Sequence, residues 1–217
     1  MNIKTINNKG NELVLFFSGW ASSPLLFEHL VAPVNCDVWI CYDYQTLSPL
    51  PETIANYQKV HLIAWSMGVS IVERLIQLQP FTFTSATAIN GTPFPIDDTR
   101  GIPKKIFKGT LDLLNETNLT RFNIRMCGGR SVFQSFYKPS TRSLKELKSE
   151  LAALYESTPP KGTPLVWTSA ILGKQDRIFP AANQQKAWEE RKVNVHSLEA
   201  PHFLFHLFTE WQQLWSL

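Results

Sequence analysis

The stretch from Lys59 to Val72 leaves this chain few architectures to choose from. Lys59 to Ala64 is an apolar run that reads as a buried strand. Ala64-Trp65-Ser66-Met67-Gly68 is a five-residue kink. Ile71, Val72, Leu75, Ile76 and Leu78 then fall at the spacing of a buried helix face. A strand, a sharp turn with serine at its apex and a helix make the context of a nucleophile elbow. The usual pattern is Gly-x-Ser-x-Gly. Here Ala64 stands for the first glycine and Gly68 is the last. Both positions must be small because the turn brings its flanks together, and a methyl group is the mildest departure. The competing reading is that Ser66 is an ordinary helix N-cap.

The rest of the chain extends this unit. Ile3 to Ile6 suits a short first strand, and Leu13 to Phe17 a buried one. The latter ends in the small-residue loop Ser18-Gly19-Trp20-Ala21-Ser22-Ser23. Pro24 opens a short helix through Leu30, Asp37 to Tyr42 is the next strand, and Pro51 to Tyr57 suits another short helix. Pro80 stops the elbow helix, and Ser85 to Ile89 is a strand closed by Asn90-Gly91-Thr92-Pro93.

From Phe94 to about Glu156 no buried strand is visible, only helical fragments. Leu111 to Leu114 belongs to one. Leu119, Phe122 and Met126 belong to a second, with Arg121 and Arg125 on one face. Leu144, Leu147, Leu151 and Leu154 stripe a third, with Ser143 and Glu146 placed as a capping box. Thr158 to Gly162 reads as a linker. Alternation then resumes, with a strand at Pro164 to Ile171, a helix at Ala181 to Arg191, a strand at Val193 to Leu198 and a final aromatic helix from Phe203 to about Trp215. Repeated strand–helix units imply an α/β fold with a mainly parallel sheet covered on both faces. One domain is expected over 1–217. Its core would be 1–93 and 157–217, and a helical cap insert of about 94–156 would lie over the strand ends, where such sheets place their sites.

The charge of +3 is unevenly placed. The insert holds eleven basic residues against seven acidic, a net of +4, so the remainder is close to neutral at −1. That points to an acidic partner or simply to a solvated helical face. The polar segment Met1 to Gly10 has no signal-peptide core, and no apolar run is long enough to span a bilayer, so a cytoplasmic protein is expected. Cys36, Cys41 and Cys127 lack metal-ligand spacing and read as core thiols. Dinucleotide, phosphate-loop and zinc signatures are missing, so neither metal nor organic cofactor is called for.

A serine nucleophile needs a base, and the base an orienting carboxylate. On this kind of sheet they follow in the order Ser, Asp, His, on loops after later strands. Asp176 lies after the next-to-last strand, between Gly173 and Pro180, and His202 follows the last strand. Ser66, Asp176 and His202 are therefore the expected catalytic residues. His206, His61 and His196 compete for the base, and Asp43 and Glu199 for the acid, from less suitable positions. The oxyanion hole is expected from the backbone N–H groups of Met67 and Trp20, with the Trp20 indole walling the acyl pocket or packing in the core.

Phe17-Ser18-Gly19-Trp20, Ala64-Trp65-Ser66-Met67-Gly68, Gly173-Lys174-Gln175-Asp176 and Ala200-Pro201-His202-Phe203 together resemble the α/β-hydrolase superfamily. The short length, the Ser-Gly-Trp loop and the Trp-Ser-Met-Gly elbow look most like its BioG type, the pimeloyl-acyl carrier protein methyl ester esterases. The resemblance implies a serine esterase of biotin synthesis. It would release methanol and pimeloyl-carrier protein through an acyl-enzyme, and its partner would be the acidic carrier protein rather than nucleic acid or membrane. It would give the basic insert a purpose, with Arg121, Arg125, Arg130 and Arg142 meeting carboxylates or the phosphopantetheine phosphate. Phe107, Phe122, Phe133 and Phe136 would line an acyl channel or form the cap's own core. Ser18, where many relatives have His, and Val69, where many have Gly, leave room for a different ester. A general ester or thioester hydrolase, a related lyase of cofactor biosynthesis and a non-catalytic binding module remain as alternatives.

Overall fold

The computed structural model describes residues 1–157 and 163–217, so the expected linker Thr158 to Gly162 lies outside the described residues. Among the described residues seven strands form one sheet in the order β1-β3-β2-β4-β5-β6-β7. They are β1 (Asn2–Ile6), β2 (Glu12–Phe17), β3 (Cys36–Tyr42), β4 (Lys59–Trp65), β5 (Ser85–Ile89), β6 (Ser169–Gly173) and β7 (Val195–Leu198). Only β1 runs antiparallel, along β3, and every other pairing is parallel.

The apolar runs form the centre because they can be buried on both faces. Leu13 to Phe17 of β2 are all fully enclosed, between β3 and β4. Each such Leu or Phe contributes roughly 1.5–3 kcal/mol. In register, β2 ends at Phe17 beside Ala64, and β4 ends at Trp65 beside Ile89. The loops leaving these strands are therefore neighbours at one rim.

Among the described residues there are six α-helices: α1 (Met67–Leu78), α2 (Lys104–Asp112), α3 (Glu116–Met126), α4 (Arg130–Phe136), α5 (Leu144–Glu156) and α6 (Ala181–Glu190), of which α1 and α6 pack on the sheet. α2 to α5 all lie between β5 and β6. Asn115 caps α3 by accepting from Asn118 N–H at 2.9 Å, and Ser143 and Glu146 form the expected capping box of α5. No helix among the described residues is long and apolar enough to cross a membrane.

Several elements differ from the sequence reading. The segments after Pro24 and Pro51 are single 3-10 turns, Pro24–Phe27 and Glu52–Asn56. Leu111 to Leu114 straddles the end of α2, which is mostly upstream, and α4 was not anticipated. The strand expected from Pro164 pairs only from Ser169, because the preceding residues serve a buried carboxylate instead. Glu73 accepts from Leu165 N–H at 3.1 Å and from Trp167 Nε1 at 2.8 Å. The expected last helix is replaced by two 3-10 turns, Phe205–Leu207 and Trp211–Leu214. The reason is burial: Phe203, Leu204 and Phe205 are consecutive and all fully enclosed, which a one-sided helix does not allow. Phe16, Phe27, Trp65, Phe205 and Trp211 make one aromatic cluster with ring centroids 4.6–6.1 Å apart.

Candidate active site

Ser66 sits between β4 and α1 with φ 59° and ψ −125°, a conformation that an L-residue holds only under constraint. The constraint comes from both sides. Ser66 N–H donates to Ile89 O at 2.9 Å. Gly68 lies so near the end of β2 that a Cβ there would stand 2.3 Å from Phe17 O and 2.7 Å from Ser18 O. Only glycine lets α1 begin this close to the first loop. The Ser66 side chain makes no capping bond to α1. Its Oγ lies instead 2.9 Å from His202 Nε2.

The imidazole is held on its other side. His202 Nδ1 lies 2.8 Å from Asp176 Oδ2. The remaining acceptor sites of that carboxylate are taken: Oδ1 accepts from Ile178 N–H at 2.7 Å and Phe179 N–H at 3.0 Å, and Oδ2 also accepts from Gln184 Nε2 at 2.9 Å. A carboxylate facing Nδ1 selects the tautomer with its proton there, which leaves Nε2 to accept from the Ser66 hydroxyl. His202 lies flat along Phe179, with planes 3° apart and centroids at 6.0 Å. Its backbone carbonyl accepts from Trp65 Nε1 at 3.0 Å and Asn90 Nδ2 at 2.8 Å. Ser66, Asp176 and His202 are all buried, so their mutual hydrogen bonds are little diluted by water.

The loop after β2 abuts Ser66. A Cβ on Gly19 would stand 3.0 Å from Ser66 Cβ. Next in sequence, the backbone N–H of Trp20 has no acceptor among the described residues, and neither has that of Met67. The Trp20 indole donates to Leu147 O of α5 at 2.9 Å and meets Phe122 edge-on with centroids 5.1 Å apart. Over Ser66 and His202 lies a pocket walled by Trp20, Met67, Ile102, Phe107, Phe122, Leu151 and Ile178, with two cations, Arg125 and Arg177. Among the described residues no three His, Cys, Asp or Glu side chains are grouped to hold a metal ion.

The other residues singled out from sequence fall as follows. His206 Nδ1 meets Phe203 O at 3.0 Å, His61 Nδ1 meets Ser85 Oγ at 2.8 Å, and His196 meets Asn194 at 3.0 Å. Glu199 pairs with Lys174 at 2.7 Å on the surface. Asp43 pairs with Arg142 at 3.1 Å. Arg121, Arg125 and Arg130 are exposed. Arg142 is not part of their surface, because its side chain is only 10% exposed and lies 2.9 Å from Glu150. Phe107 and Phe122 line the pocket. Phe133 stacks on Tyr137, and Phe136 lies against His29 and His206. The three thiols are buried; burial raises Cys36 and Cys41 and pushes Cys127 up to about 12, so all stay protonated. Arg177 escaped the sequence reading, although its place directly after Asp176 was a usable signal.

Residues 1–214 match the model of the family described as pimeloyl-ACP methyl esterase BioG. The chain belongs to the BioG family. The crystal structure of BioG from Haemophilus influenzae superposes with a TM-score of 0.92 at 38% identity, covering 99% of this chain and 100% of that one. An uncharacterized protein of the same organism is 40% identical over the whole of both chains. A malonyl-[acyl-carrier protein] O-methyltransferase of Bacteroides fragilis is 41% identical over 88% of this chain, which matches only 39% of that longer protein. A lipase-esterase related protein of Clostridium acetobutylicum shares the fold, with a TM-score of 0.60 at 14% identity over 94% of this chain and 93% of that one. The fold is thus that of the α/β-hydrolases, and this BioG-family chain is a carboxylic ester hydrolase.

Proposed function

We propose that this chain hydrolyses the methyl ester of pimeloyl-acyl carrier protein in biotin synthesis, with Ser66 as nucleophile, His202 as general base and acid, and Asp176 as the group that orients His202. Ser66 Oγ attacks the ester carbonyl carbon while its proton passes to His202 Nε2. The carbonyl oxygen becomes an oxyanion that accepts from the backbone N–H groups of Trp20 and Met67. Collapse expels methoxide, which takes the proton from His202 and leaves as methanol. Water then attacks the acyl-enzyme, giving its proton to His202. The acid leaves and Ser66 recovers its hydrogen.

The observation that carries this reading is the hydrogen-bonded line Ser66 Oγ, His202 Nε2, His202 Nδ1, Asp176 Oδ2, with steps of 2.9 and 2.8 Å, at the floor of an apolar pocket. The apolar walls suit the pimeloyl methylenes. Arg125 and Arg177 at that pocket, with Arg121 and Arg130 on the same insertion, suit the phosphopantetheine phosphate and the acidic carrier surface. Residues 94–156 would then act as a cap on a core made of the rest. The Bacteroides relative agrees: a segment like this chain is joined to a protein named for methylating malonyl-acyl carrier protein. An ester made by such a reaction needs a hydrolase to remove it.

The test is mass spectrometry of pimeloyl-carrier protein methyl ester incubated with the protein. Wild type should release the free acid and Ser66→Ala should not, though folded. Demethylation at an undiminished rate by Ser66→Ala would remove the nucleophile assignment. Faster turnover of small methyl esters than of the carrier-bound one would favour the general hydrolase.

A further inference from the structure

The loop that carries the Trp20 N–H is gripped by α5. Trp20 is flanked by two peptide planes. The plane shared with Gly19 is held by Ser22 Oγ, which donates to Gly19 O at 2.6 Å; the Trp20 N–H belongs to this plane and points away from that oxygen. The plane shared with Ala21 is held from α5, because Ala21 N–H donates to Glu150 Oε2 at 3.4 Å. The Trp20 indole is tied to the same helix at Leu147 O. Ala21 has φ 60°, a left-handed turn that only the surrounding bonds maintain in a residue with a Cβ. Glu150 Oε1 also accepts from Tyr44 N–H at 3.0 Å, and the Tyr44 hydroxyl lies 2.9 Å from both Ser18 O and Cys41 O, which share its one proton. The carboxylate therefore meets the Ser18–Ala21 loop directly at Ala21 and reaches its start through Tyr44.

Glu150 is wholly enclosed, beside Leu147, Leu151 and Leu154 on the buried face of α5. An apolar side chain could fill that place without the penalty of a buried charge. We propose that Glu150 is a positioning residue of the oxyanion hole. Through Ala21 and Tyr44 it fixes the angle of the Trp20 N–H, and Arg142, 2.9 Å from Glu150 Oε2, holds the carboxylate in place. This inference rests on Trp20 being an oxyanion donor. The charged and titratable groups around Glu150 are Arg142 from the segment before α5, and Asp43 and Tyr44 from the segment after β3. Burial pushes the Glu150 carboxyl up; the Arg142 guanidinium and the Tyr44 and Ala21 N–H groups oppose this only in part.

The test uses the full chain and a small soluble ester, so that carrier docking plays no part. Glu150→Gln keeps the shape but turns an NH2 group towards a donor. It should lower kcat by roughly 10–100-fold, the scale expected for a misaimed oxyanion donor, while KM changes less than about twofold. A boronic acid, which forms a tetrahedral adduct on Ser66, should lose affinity in step with kcat/KM. Leu154→Ala on the same helix loosens packing without touching the loop and should lower the melting temperature while leaving kcat within about twofold. Arg142→Gln, which takes away the cation beside Glu150 Oε2, should lower kcat in the same direction with KM little changed. If Glu150→Gln does not fold, Arg142→Gln decides the matter. A folded Glu150→Gln with wild-type kcat, a loss confined to KM, an equal kcat loss in Leu154→Ala, or a wild-type kcat in Arg142→Gln would overturn the inference. Ser66→Ala in the same assay reports on the proposed function separately, since its inactivity stands whichever way Glu150→Gln falls.

Discussion

Asn90 offers the sharpest test of how the site is held together. It leaves β5 with φ 43°, fully buried. Its Oδ1 accepts from Gly173 N–H at the end of β6 at 2.6 Å, and its Nδ2 donates to Pro201 O at 3.0 Å and His202 O at 2.8 Å. One amide thus ties the loops that carry Asp176 and His202 to the strand beside Ser66. Asn90→Ala orphans Gly173 N–H and Pro201 O, each worth about 1–3 kcal/mol when buried without a partner, whereas His202 O keeps Trp65 Nε1. Losing a residue type that tolerates positive φ adds about 1 kcal/mol. The total is about 5 kcal/mol, a fall of roughly 10–20 °C in melting temperature for a chain of this size. Asn90→Asp keeps the Gly173 bond but sets a carboxylate oxygen against two carbonyl oxygens. Although nearer in shape, it should be no milder than Asn90→Ala, and kcat should drop in both as His202 loses a tether. Calorimetry with steady-state kinetics reads both quantities. A melting temperature lowered by less than about 3 °C in Asn90→Ala, or a clearly milder Asn90→Asp, would refute the reasoning.

Gln184→Leu removes one donor from Asp176 and should lower kcat roughly tenfold and stability by about 1–3 kcal/mol; unchanged kcat would mean that the two loop N–H groups suffice. Reversing charge at Arg125 and Arg177 should raise KM for the carrier-bound ester about tenfold or more and that of a small ester clearly less, as competition kinetics would show; equal effects on both would remove the docking role. Burial opposes ionisation of Asp97, but Arg100 and the N–H and hydroxyl of Thr99 outweigh it and bring the carboxyl to about 2. A lowered carboxylate stabilises fully above its unfolded value and loses that contribution as pH falls through its folded one, so the window is about pH 4 down to 2. With a quarter of the side chain exposed, the contribution is discounted to about 1–2 kcal/mol. Asp97→Asn should flatten acid unfolding in that window, and superimposable curves for both proteins would contradict this.

Much of the architecture was legible because burial writes itself into local pattern. Leu13 to Phe17 and most of the elbow run are apolar over the length of one strand, and Ser85 to Ile89 is a short run of small and β-branched residues; all three are bounded by small or polar residues, so local pattern found them. The order of Ser66, Asp176 and His202 could be read because each follows a strand end. The strand–turn–helix of the elbow left both a nucleophile and a plain cap open; the Ser66 side chain makes no cap bond and lies 2.9 Å from His202 Nε2, which supports the proposed nucleophile. What escaped was set by contacts distant in sequence. The last segment looked helical, yet Phe203, Leu204 and Phe205 enter the core in succession, driven by Phe16, Phe27 and Trp65. Arg142 read as one more cation of a basic insert because neither Asp43 nor Glu150 is marked as its partner by spacing. Gln184 and Asn90 carry no motif at all.

The step from Ser66 to His202 spans 136 positions of chain, and the Trp65 bond that steadies the His202 loop spans 137. During synthesis Ser66 and α1 emerge long before His202 exists, and β6 and β7 come last in the chain. On the proposed mechanism a ribosome-bound fragment is consequently inert however well its first half has folded. Hydrolytic competence then arrives in a single late event, so a partly made molecule has no means of clipping esters before its specificity pocket is closed.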